Sequence, residues 1–318
     1  MVDNGRREIS SVREHAPAGI ERRSALYGML VIAYLFLGGA SAGALFVMCA
    51  WSLHFHRNEH RYSRRMRLAF KSLLSRCCAV ATLALAASIA CLVFDLGTPE
   101  RALLMFLKPH ATLLTLGAYA LVLELLLGMA LSAANVFDKP HFGGKGKRAL
   151  EIACCACSCV VMAYTGMFLA DAAIPLWETW TLVGLFFFSA LSTGFATVLL
   201  VDYSAQDHRL LLSFAQPLQK AHIACLACEA VFLALFLLAA WRNPAAAHSV
   251  ALLLEPAMAA NLAVGAAGFG IVVPLACEAV SLARMNSRSI PTSDALCLAG
   301  GFFLRYCIVT CGAHLMVF

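Results

Sequence analysis

The run Tyr34-Leu35-Phe36-Leu37-Gly38-Gly39-Ala40-Ser41-Ala42-Gly43 lies inside the first long apolar block of the chain. Wound as a helix, it sets Gly39 and Gly43 one turn apart on one face, with Gly38 beside them, so that another helix backbone can come close. Helices in lipid pack in this way, because burial of apolar surface alone does not drive them together.

The rest of the chain has the same character. Of 318 residues, 61% are hydrophobic and 13% charged, against about 25% charged in an ordinary globular chain. Blocks of about 20 nearly uncharged residues read as membrane spans. Eight are expected, near 25 to 53, 71 to 94, 111 to 134, 149 to 170, 177 to 201, 221 to 241, 256 to 282 and 295 to 317. The fold class is therefore an all-α integral membrane protein of eight transmembrane helices. Residues 1–24 read as a polar tail with five Arg and four acids and no short apolar core before a cleavage site, so the first span is expected to act as its own insertion signal.

Lys and Arg set the orientation. Connections after spans one, three, five and seven carry 14 basic residues; the tail and the connections after spans two, four and six carry 8. Positive residues favour the cytoplasm. Both termini are thus predicted on the non-cytoplasmic side, with Arg57, Arg61, Arg64, Arg65, Arg67 and Lys71 as the main cytoplasmic anchor. The net charge of +6 is accounted for by this topology, and nothing in it points to nucleic acid.

An offset of 151 lays Leu35 to Gly43 on Phe186 to Gly194, with Phe, Ser and Gly coinciding. Chance and duplication both fit. Duplication would give two four-helix bundles, at 25–170 and 171–318, related by an axis along the membrane normal.

The 14 cysteines lie almost wholly inside the spans and lack zinc or iron-sulfur spacing in a loop. They read as small apolar residues, and no metal site is expected. The ten histidines read as tail, loop or helix-end residues, which disfavours axial haem ligation.

Ionisable residues inside spans are costly and are functional candidates. Glu124 in span three, Glu229 in span six, Glu278 in span seven and Arg305 in span eight stand out. One reading makes Glu229 and Arg305 a buried pair that fixes helix register; the other makes the set a proton path from the cytoplasm.

A second group follows from the topology. Tyr27, Asp95, Arg101, His110, Tyr164 and Asp171 come to the non-cytoplasmic face, with Tyr34 and Tyr164 about 10 to 14 Å below it. Two phenols, a carboxylate, an imidazole and an Arg at the mouth of an apolar bundle suit a ring with two carbonyl oxygens and an apolar tail. Interfacial tyrosines are also ordinary membrane anchors. The Gly38/Gly39/Gly43 face is expected to wall that pocket.

Tyr-Leu-Phe-Leu-Gly-Gly-x-x-Ala-Gly in span one, Asp95-Leu-Gly-x-Pro-x-Arg101 after span two, Tyr164-x-Gly166, Pro175-x-Trp177 and Gly300-Gly301-x-x-Leu-Arg305 resemble the NrfD/PsrC family. These are membrane subunits of polysulfide reductase and related respiratory molybdoenzymes. The resemblance implies an eight-helix subunit of the prokaryotic cytoplasmic membrane, without haem or iron-sulfur cluster, that exchanges menaquinone or ubiquinone with the pool in anaerobic respiration. It further implies a four-cluster ferredoxin-like partner and a molybdopterin or similar catalytic subunit. Tyr164 and Asp95 match the family's quinone residues. The start of span one, Glu21 to Tyr27, lacks the His or Asn of some members, leaving Arg23 or Tyr27 as substitutes. Arg101 would polarise a quinone oxygen or anchor the partner. A different class of function, a secondary transporter using buried Glu and Arg at a midplane site, would need paired broken helices, for which Pro274 in span seven is one candidate.

Overall fold

The computed structural model describes residues 18–57, 60, 62–95, 113–136, 144–204, 208–283 and 291–313. Eight helices there are long and apolar enough to cross a membrane: Gly28–Arg57, Arg64–Asp95, Thr115–Asn135, Lys145–Ala170, Trp180–Tyr203, Pro217–Arg242, Pro256–Ala283 and Pro291–Gly312, called spans one to eight. No strand occurs among the described residues. The chain is a multi-pass integral membrane protein.

The helices outrun their apolar blocks. The first runs from Ala18 to Arg57, into the sequence read as tail, and span two begins at Arg64 rather than at residue 71. Arg and Lys have long apolar stems that let a helix continue into the headgroup layer while the charge reaches water. Exposed Trp180 and Trp241 cap one end of spans five and six, and exposed Tyr203 the other, as interfacial aromatics do.

Spans one and five are the most buried and form the centre. Span one packs on spans two, four, five and eight; span five packs on spans one, four, six and eight. The two centres touch through glycine. A Cβ built on Gly43 would overlap the Ala190 carbonyl, and one built on Gly194 would overlap the backbone of Gly43 and Ala44. Around this pair the outer spans turn leucines such as Leu116, Leu123 and Leu126 of span three toward lipid.

Span seven is wound unusually. Pro256–Ala260 is α-helical, Asn261–Val272 is a π-helix, and Val273–Ala283 is α-helical again. The change falls at Pro274, which has no N–H to give to the carbonyl four residues back. At the junction the Val273 N–H reaches Gly268 O, five residues back. The widened helix brings Gly270 against Gly300 of span eight, where a Cβ on Gly270 would lie 3.1 Å from Gly300 Cα.

The connection between spans four and five is tied to span eight and to the end of span six. Trp177 Nε1 donates to Ile308 O at 3.0 Å, its ring covers Gly312, and Asn243 Nδ2 donates to Pro175 O at 3.1 Å.

Candidate functional site

Tyr34 and Tyr164, from spans one and four, are both buried and meet around Phe168. The Tyr34 and Phe168 rings lie edge to face with centroids 6.2 Å apart, and the Tyr164 and Phe168 centroids are 6.0 Å apart. Gly117 of span three makes this possible, because a Cβ there would fall inside the Tyr164 ring. Span two contributes Ser88, whose hydroxyl donates to Tyr34 O at 3.0 Å. All four helices of the first half thus converge here. The two tyrosine hydroxyls lie close enough to interact with each other, and neither meets hydrogen-bond geometry with any group among the described residues.

Beyond Tyr164 on the same helix, Met167, Ala170 and Asp171 line a cavity of about 310 Å³ with Leu113, Glu178, Thr179, Trp180 and Val183. It opens between the start of span three, the end of span four and the start of span five. Asp95 closes span two at this end, half-buried, about 10 Å beyond Ser88 along the helix. Arg101 and His110 lie outside the described residues, as does the side chain of Tyr27.

The glycine face does not wall this cluster as expected. Gly39 and Gly43 face spans five and eight: a Cβ on Gly39 would lie 2.9 Å from Arg305 Nη2 and 3.2 Å from Ala190 Cβ. Gly38, on the neighbouring face, looks toward Ser88 and Leu121.

The four intramembrane ionisable residues do not form one group. Glu124 is buried in the first half and accepts from Ser158 Oγ at 2.6 Å, with its other oxygen unpartnered. Glu229 accepts from Ser192 Oγ at 2.5 Å. Arg305, fully buried, donates from Nη1 to Ser189 Oγ at 3.2 Å and to Gly301 O at 2.8 Å. Its guanidinium sits between the Phe36 and Phe186 rings, 5.7 and 5.3 Å from their centroids. Glu229 and Arg305 therefore make no direct ion pair; Ser189 and Ser192, one turn apart on span five, stand between them.

Glu278 bonds His222 of span six, Oε1 to Nδ1 at 2.6 Å. Asp294 of span eight joins them, with one ligand-type atom of each of the three within 4.8 Å of the others. Phe195 stacks on His222. His222 lies near the start of its span, as the sequence suggests, and is fully buried. The sequence did contain a signal: His222, Glu278 and Asp294 lie at the same depth once alternate spans are reversed. At the same end of the first half, Ser52 Oγ donates to buried Glu151 at 2.7 Å; Glu151 was hidden at the charged edge of its span. The cysteines are all free, and several rest against backbone carbonyls, as Cys225 does with Phe188 O at 3.3 Å.

No curated protein matches the chain. The family described as polysulphide reductase, NrfD, matches residues 20–316, a range that takes in all eight spans, the tyrosine cluster and the buried polar groups. The chain belongs to the NrfD polysulphide reductase family.

Proposed function

We propose that this chain is the quinone-reactive membrane subunit of a respiratory oxidoreductase complex, passing electrons between a quinone and an iron-sulfur partner. The reading rests on the two buried phenol hydroxyls of Tyr34 and Tyr164, held in one aromatic cluster with no neighbour for hydrogen bonding but each other among the described residues. A buried hydroxyl left unpaired costs about 1–3 kcal/mol. Bonded to each other, the two would still leave one donor free, and the carbonyl oxygen of a quinone would accept from it. Phe168 offers the ring a face, and the cavity bounded by Leu113, Met167, Ala170 and Val183 offers the isoprenoid tail a lateral way out. Family members are membrane subunits of polysulfide reductase-type complexes, alongside iron-sulfur and catalytic oxidoreductase subunits.

Oxidation of one quinol, menaquinol in an anaerobic chain, releases two electrons and two protons. The electrons leave singly to the nearest cluster of a four-cluster ferredoxin-like subunit docked over the end that carries Asp95, Asp171 and Glu178, and continue to a molybdopterin-type subunit. The protons pass from the phenols to Asp95 or Asp171 and outside water. Exchange with the opposite side, which the positive-residue count makes the cytoplasm, would use Glu124 in one half or Glu229, His222 and Glu278 in the other. A rocking transporter is disfavoured: span seven is interrupted at Pro274, while span three is a continuous α-helix.

The test is quinol-driven reduction of the partner's clusters in the purified complex. Tyr164→Phe keeps the ring on Gly117 and removes the hydroxyl, and should slow reduction about a hundredfold or more with the subunits still assembled. Wild-type rates in both Tyr164→Phe and Tyr34→Phe would overturn the assignment.

A further inference from the structure

We infer that the ends of spans one, two and four, on the side away from the tyrosine cluster, form a binding site for the phosphate headgroup of an anionic phospholipid. A cavity of about 350 Å³ lies there, lined by Phe55, His56, Arg64, Arg67, Leu68, Phe70, Lys71, Leu74 and Lys147. Four of these side chains are cationic and none is a carboxylate. Arg64, Arg67 and Lys71 fall at i, i+3 and i+7 on span two and so share one helical face, while Lys147 reaches in from the start of span four. Arg67 and Lys71 have further contacts; among the described residues Arg64 and Lys147 have no ion-pair partner.

The floor gives the occupant its second property. Phe55, Phe70 and Leu74 are buried. Phe55 is stacked between Tyr62 and Phe70 with centroids 4.5 and 4.1 Å away, and Trp51 meets Phe70 edge-on at 5.3 Å. Leu68, at the rim, is 60% exposed on a helix whose outer face meets lipid. A positive-residue cluster that only fixed topology would need no cavity, and a free phosphate would need no aromatic floor. A molecule with a negative head and an apolar body uses both, and basic pockets between membrane helices take anionic lipid heads.

Native mass spectrometry of the full-length protein released from detergent tests this with three probes: phosphatidylglycerol, phosphatidylcholine with the same acyl chains, and inorganic phosphate. Wild type should hold one phosphatidylglycerol under conditions that strip phosphatidylcholine. One surface cation contributes about fivefold to binding an anionic lipid, so Arg64→Gln with Lys147→Gln should weaken retention about 25-fold. The charge-conserving pair Arg64→Lys with Lys147→Arg should retain it, as should Arg242→Gln at the far end of span six. Equal retention of the two lipids, or undiminished retention in the Gln pair, would overturn the site. Displacement of phosphatidylglycerol by millimolar inorganic phosphate would also overturn it, marking a soluble-anion site instead.

Discussion

Gly43 of span one and Gly194 of span five meet backbone to backbone, and they stand 151 residues apart, the offset that aligns the two stretches of sequence. Gly39 and Ala190 meet at the same offset. When two parallel helices pack about a two-fold axis, equivalent residues touch one another. The seam between spans one and five has that contact pattern, with the axis along the helices.

Adding one carbon to this seam should be costly. Gly194→Ala drives a Cβ into the Gly43 backbone, and overpacking of this kind costs about 1–3 kcal/mol. Gly28→Ala, where nothing lies within 4 Å, should be neutral or stabilising by up to about 1 kcal/mol through helix propensity. Thermal unfolding of the two variants in the same detergent compares them directly.

At the tyrosine cluster, stability and activity should separate. The Tyr164 hydroxyl has only that of Tyr34 for a neighbour, so Tyr164→Phe should leave stability unchanged or raise it by up to about 3 kcal/mol while quinol oxidation fails. Gly117→Ala keeps the tyrosine but evicts its ring and hydroxyl from their place, and should lose both. Unfolding curves set beside quinol-oxidation rates read the two effects.

Coupling between Glu229 and its neighbours should follow the serines. Ser192→Ala removes the hydrogen bond from Ser192 Oγ to Glu229 and should cost about 1–3 kcal/mol. In double-mutant cycles, Ser192 with Glu229→Gln should show a coupling of about 0.5–3 kcal/mol, larger than that of Arg305→Met with Glu229→Gln. The reverse ranking would mean that arginine and carboxylate interact directly.

His222→Ala strips Glu278 of the bond to Oε1 while Oε2 already lacks a partner. Breaking a buried pair from one side costs about 3–5 kcal/mol. Adding Glu278→Leu should recover much of that loss, because the stranded carboxylate is then gone. Denaturation midpoints of the single and double variants decide it.

Span number was legible because lipid imposes a length on every helix, and eight apolar blocks of that length are visible in the sequence. Helix ends were less legible: Arg64 and Lys71 look like a boundary by charge, yet the helix passes through them. The phenol pair was legible as two tyrosines at matched depth, whereas Gly117, which admits the Tyr164 ring, carries no signal without its neighbour. The burial of His222 was not legible, because a histidine in the second turn of a span can face either the headgroup layer or a neighbouring helix. Nothing in the sequence separates a direct Glu229–Arg305 contact from one spaced by serines, since that depends on the rotation of span five by a fraction of a turn.

Arg305 also bears on leakage. Its guanidinium lies near mid-depth between two phenyl rings, with no carboxylate in ion-pair contact among the described residues. A sodium or potassium ion drawn toward the polar residues there would have to pass a fixed charge of its own sign, in surroundings that screen it poorly. Carboxylates and hydroxyls gathered inside a membrane invite an ion pore; a buried cation at the centre opposes the passage of cations through it.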